Sequence, residues 1–157
     1  MNFDKSVLIL FSWEGGLVNN PKDPGGVTNF GISQRSYPKL NISTLTKDQA
    51  SEIYKRDFWD KNSIDKFPES LKLTFFDSCV NQGAAFAVTA LQKIIGVAAD
   101  GEVGENTIKT LLGHSEDMVF GLFSKARLER YLQDREFLEF GIGWMRRLFT
   151  ITLDSLT

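Results

Sequence analysis

Phe3-Asp4-Lys5-Ser6-Val7-Leu8-Ile9-Leu10-Phe11-Ser12-Trp13-Glu14-Gly15-Gly16 is the stretch on which the reading of this chain turns. Apolar residues fall at Phe3, Val7, Leu8, Leu10 and Phe11, the spacing of a helix with one buried face. The paired glycines stop that helix, because glycine adopts the backbone angles that follow a helix end. Glu14 is thereby expected at the C-terminal tip. Residues Leu17 to Gly31 change character. Asn19-Asn20-Pro21, Asp23-Pro24-Gly25-Gly26 and Asn29-Phe30-Gly31 are turn-forming runs, with strand-compatible Val27-Thr28 between them. They predict a short β-hairpin or an irregular loop. Ser33 then caps a short helix ending before Pro38.

The remainder reads as helix after helix. Thr46 with Gln49 forms a capping box that opens a helix running through Ile53, Tyr54 and Trp59. Pro68 opens the next, with Leu71, Leu73, Phe75, Phe76, Cys79 and Val80 as apolar positions and Gly83 as punctuation. Ala84 to Ile95, Thr107 to Leu112, a helix capped by Ser115, and a last one holding Phe140, Trp144, Leu148 and Ile151 complete the pattern. The expected class is mainly α (α+β), helices with one small β-hairpin near the N-terminus.

Whole-chain chemistry narrows the function. At 157 residues the chain is long enough to bury a core without staples. Its single cysteine, Cys79, excludes an intrachain disulfide, and with a single histidine it leaves no usual zinc set. No cofactor or metal is expected. A net charge of −2 argues against nucleic acid as a partner. The apolar run at residues 7–11 is too short for a secretion signal, and none approaches a membrane span, so no membrane insertion is expected. The oligomeric expectation is a monomer.

Glu14 is the residue with chemistry to offer. At a helix C-terminus a carboxylate meets the negative end of the dipole, and Trp13 and Phe11 can reduce its hydration. Both influences favour the protonated form, which is what proton donation to a glycosidic oxygen needs. Gly15 and Gly16 let a polymer approach the backbone closely. Asp23 offers a second carboxylate, and Thr28 and Asn29 offer hydroxyl and amide groups along one side of a cleft. Each also has a plain structural reading: a solvated helix-end glutamate, a turn aspartate, and aromatic side chains such as Trp59 packed as core.

Trp13-Glu14-Gly15-Gly16, Asn20-Pro21 and Asp23-Pro24-Gly25-Gly26-Val27-Thr28-Asn29-Phe30-Gly31-Ile32-Ser33 together resemble the signature of glycoside hydrolase family 108, within the lysozyme-like superfamily. Tyr54 to Trp59 and Asp77 to Gly83 resemble further family blocks. Leu17 departs from the aromatic that often follows Glu-Gly-Gly in that family. Ala90-Leu91-Gln92, Asp100 to Gly104, Thr107, Gly143-Trp144 and Arg147 resemble a peptidoglycan-binding region. The resemblance implies a catalytic part over 1–83 and a helical peptidoglycan-binding part over 84–157, packed as one compact unit. It implies an N-acetylmuramidase acting on peptidoglycan glycan strands, with Glu14 as the acid, Asp23 as second carboxylate and Thr28 as a helper. Asn29, Trp59 and Asn81 are the expected substrate contacts. The expected setting is synthesis in the cytoplasm, export by a holin or secretion machinery, and action in the periplasm or at the wall, as for a prophage endolysin. A lytic transglycosylase on the same bond, or a non-catalytic wall-binding module of a secretion or phage apparatus, are the competing readings.

Overall fold

The computed structural model describes residues 1–19 and 26–157. Helix α1 (Phe3–Trp13) starts on Asn2, whose side chain accepts the Lys5 backbone N–H at 2.9 Å. It ends at Glu14, which turns extended while its N–H still donates to the Leu10 carbonyl. Strands β1 (Val18–Asn19), β2 (Val27–Asn29) and β3 (Ile32–Ser33) form a small antiparallel sheet in sequence order. Val18 pairs with Thr28, and Asn29 with Ile32. The β2–β3 loop is Phe30-Gly31, with φ of 50° and 76°. A two-residue hairpin loop of the type I′ family needs positive φ at both central positions.

Ser33 does not cap a helix. Its hydroxyl pairs with that of Ser36, and Tyr37 donates back to its carbonyl, closing a turn before Pro38. The short apolar supply between Ser33 and Pro38 offers no helical face to bury. The capping box at Thr46 and Gln49 opens α2 (Lys47–Tyr54), which loosens into a π-helical turn over Lys55–Asp60. Pro68 precedes α3 (Glu69–Ser78), and a second π-turn (Cys79–Gly83) leads into α4 (Ala84–Ile95). Then come α5 (Glu105–Leu112), α6 (Glu116–Leu132) and α7 (Phe137–Asp154).

Helix α3 is the axis of the fold. Every residue from Leu71 to Ser78 is buried, and α1, α4, α6 and α7 pack around it. A helix with apolar residues on every side must be enclosed, polar positions included. One apolar cluster runs from Phe3 and Leu10 through Trp59 and Phe76 to Leu91 and Phe123, joining residues from both sides of position 83. The segment after α4 is tied down by Gln92. This buried amide donates to Asp100 at 2.6 Å and to the Glu102 carbonyl, and it accepts from Gly101.

Candidate active site

Because α3 is enclosed, its polar residues need partners inside the protein. Asp77 is the penultimate residue of α3 and is fully buried. Arg127 of α6, also fully buried, pairs with one Asp77 oxygen and donates to the Thr74 hydroxyl at 2.9 Å. Arg147 of α7 donates to the other oxygen through Nε at 2.9 Å. The same guanidinium reaches out to Glu14 Oε1 at 2.8 Å. A planar fork with several N–H donors can bridge two carboxylates, whereas an ammonium would hold them less rigidly. Burial lowers the Arg147 pKa, but the Asp77 and Glu14 carboxylates more than reverse that, leaving it above the ordinary arginine value.

Glu14 is therefore not a lone acid among apolar groups. Its side chain is 15% exposed, held from behind by Arg147 and from the side by the hairpin. Gly31 explains the hairpin's role. A Cβ there would collide with the Glu14 carboxylate and lie 2.7 Å from the Tyr54 hydroxyl, so only glycine lets the strand lie this close. Phe30 takes its unfavourable left-handed angle under compensation. Tyr54 donates to the Phe30 carbonyl at 2.8 Å, and Phe11 meets the Phe30 and Tyr54 rings edge-on at 5.7 and 5.9 Å. Burial first, and then the Glu14 charge, push the Tyr54 phenol well above the usual tyrosine range, so it stays a donor.

A cleft of about 440 Å³ opens on the far side of Gly31 and Tyr54. Its walls include Ser33 of the hairpin and Tyr37 after it, Asp57 and Phe58 from the first π-turn, and Val80 from the second. π-turns widen a helix locally and re-aim its side chains, and they are frequent at functional sites. Tyr37 donates to Asp57 at 2.7 Å, while Arg56 clasps the same carboxylate and holds it below the usual range.

The expected site residues scatter around this centre. Asp23 lies outside the described residues. Thr28 is half-buried in the central strand, opposite Ser33 and Val18. Asn29 is buried, and its amide is spent on the Ile42 and Leu45 carbonyls, both at 3.2 Å. It fastens the sheet to the following turn. Trp59 is fully enclosed between Phe3 and Phe76 and donates to Asp65 at 2.9 Å, so it is a core residue with no face for a sugar. Asn81 is exposed and accepts from Tyr131, at a small polar hollow that Trp144 also lines. Sequence reading missed Gly31, Tyr54, Asp77 and Arg127 as site-builders and placed Arg147 elsewhere. The legible signal was an aspartate inside the apolar run Leu73 to Val80, because a buried charge demands a counter-charge.

A carboxylic acid at a helix end, gripped by an arginine and a hairpin, with Gly31 and Tyr54 between it and a cleft, is an arrangement suited to a glycosidase. The family model of glycosyl hydrolase 108 matches residues 7–83. A structure of Brucella abortus SagA is 33% identical, covers 98% of this chain and 93% of that one, and superposes with a TM-score of 0.88. The chain belongs to glycosyl hydrolase family 108. Comparison with curated protein sequences found no match. Among the described residues, no group of three or more His, Cys, Asp or Glu is placed to hold a metal ion, and no helix is long and apolar enough to cross a membrane.

Proposed function

We propose that this protein is an N-acetylmuramidase that cleaves the β-1,4 bond between N-acetylmuramic acid and N-acetylglucosamine in peptidoglycan, with Glu14 as general acid. The observation that carries the proposal is the placement of Glu14: partly exposed, clamped by Arg147, and bordered by a glycine that opens onto the cleft. The two carboxylate oxygens differ. Oε1 faces N–H donors of Arg147, which have no lone pair to accept a proton. The proton for the leaving oxygen belongs on Oε2, the oxygen on the Gly31 side. After transfer, Arg147 stands ready to balance the carboxylate.

Asp23 is the second carboxylate in this reading, steadying oxocarbenium charge or positioning water, and Thr28 orients that water from the hairpin. Asn81 contributes a substrate contact at the Tyr131 and Trp144 hollow. The chain past residue 83 serves as the peptidoglycan-binding part, and the whole acts at the periplasm or wall after holin-type or secretion-type export, as an endolysin does. Turbidity loss of purified sacculi tests the assignment. Glu14→Gln is expected to fold normally and lose at least about a thousandfold in rate, and Asp23→Ala to be slower while still binding glycan. A fully active Glu14→Gln enzyme refutes it. Mass spectrometry of the products separates hydrolysis, which leaves reducing ends, from transglycosylation, which leaves anhydro ends.

A further inference from the structure

Helix α7 has two apolar faces, and only one is used. Leu148 and Ile151 pack inward, together with Arg147. Elsewhere on the helix Leu138 is 99% exposed, Ile142 76%, Phe149 62% and Leu153 65%, and Leu156, in the turn just past its end, is 61% exposed. With half-buried Met145 between them, these residues succeed one another in steps of four, three, four, four and three. At roughly 100° per residue those on the helix form one straight stripe within about a quarter-turn, about four helical turns long, which Leu156 extends. Nine residues after Leu138, Arg147 points the opposite way. The stripe therefore runs along the back of the helix that holds Glu14.

From this we infer that the protein pairs with a second copy of itself through the exposed stripe of α7. The five side chains offer on the order of 600 Å² of apolar surface, the upper end of what a monomer leaves bare. Two such faces together would bury on the order of 1,200 Å², the lower end of the range for a standard interface. A straight stripe on a helix is its own complement: a two-fold axis across its middle lays Leu138 of one copy beside Leu156 of the other, with Met145 and Phe149 at the centre. Charge disfavours a membrane as the occupant. Interfacial helices carry Lys and Arg on their polar face, whereas this stripe is flanked by Glu139 and Arg146, one charge of each sign, and α7 has no lysine. Because the stripe faces away from Arg147, pairing leaves both clefts open. The result is a two-headed enzyme suited to a polymeric wall.

Sedimentation equilibrium of the intact chain tests the inference. The wild type is expected at twice the 17.7 kDa chain mass. Ile142→Asp combined with Phe149→Asp is expected to weaken association by at least about a hundredfold, with an unchanged circular dichroism spectrum and unchanged turnover of a short soluble glycan. A wild type that stays monomeric at high micromolar concentration overturns the proposal, whether or not it binds phosphatidylglycerol vesicles. So does a folded double variant that remains dimeric. Should the double variant fail to fold, Leu138→Lys with Leu156→Lys decides by the same two outcomes, since both sites are solvent-facing.

Discussion

Gly31→Ala isolates the hairpin's grip on the acid from the stability of the fold. Two costs follow from the geometry. Gly31 has φ of +76°, where an L residue pays about 1–2 kcal/mol. The new Cβ also meets the Glu14 carboxylate and stands 2.7 Å from the Tyr54 hydroxyl, so the acid must move by something near an ångström. Moving Glu14 also loosens its ion pair with Arg147, and the buried Tyr54 must give, so the displacement adds to the stability loss. Its effect on rate is larger, since a displacement of about 1 Å at a reacting group costs on the order of a hundredfold. The expected variant melts a few degrees lower, at about 2–4 °C per kcal/mol for a chain of this size. It clears purified sacculi about a hundredfold more slowly. Calorimetry and a turbidity assay read the two quantities separately. A Gly31→Ala enzyme within twofold of wild-type activity would show that the Glu14 position set by Gly31 is irrelevant to turnover.

Arg147→Gln leaves Asp77 buried with Arg127 alone and frees Glu14. Removing one partner of a buried charge network costs about 3–5 kcal/mol, which urea titration measures; an unchanged midpoint would mean the bridge to Asp77 is not formed in solution. Arg147→Lys is expected to recover part of the stability and little of the activity, because an ammonium cannot hold both carboxylates in one plane. Stability is also expected to fall in acid. Asp100 is held below the usual range by the Glu102 N–H and Gln92, and Asp57 by Arg56 and Tyr37. A depressed folded-state pKa contributes fully above the unfolded value near ~4 and is lost as pH falls below it. Urea midpoints at neutral pH and at pH near 3 should therefore differ less in Asp57→Asn/Asp100→Asn than in the wild type, and an equal difference removes these two groups from the account.

What the sequence disclosed was local. The helix ending at Glu14, the capping box at Thr46 and the turn-rich hairpin depend on residues within about four positions of each other, and backbone angles decide them. Ser33 went astray because a hydroxyl that can cap a helix can equally close a turn, and only the missing apolar face separates the two. Trp59 went astray for a related reason: an aromatic at helical spacing is the same letter whether it meets a sugar or Phe76. The clamp on Glu14 was illegible in a different sense. Glu14 and Arg147 lie 133 positions apart, and Asp77 and Arg147 lie 70 apart, so no window along the chain contains the pair.

That separation has a physical consequence for how the site forms. Glu14 stands on α1, Asp77 on α3 and Arg147 on α7, and none of these helices meets its counter-charge until α3 is enclosed. Two arginines shared over one buried aspartate cost desolvation that a hydrophobic trio would avoid. What the arrangement supplies is direction. Asp77 holds both Nε and Nη2 of Arg147 while Arg127 and Thr74 fix Asp77, so the Nη2 that also reaches Glu14 is held in one orientation. A less polar core could be as stable, but it would leave the acid free to rotate on its helix end. The buried charges are better understood as the means of fixing Oε2 beside Gly31, whose other side lines the cleft, than as a source of stability.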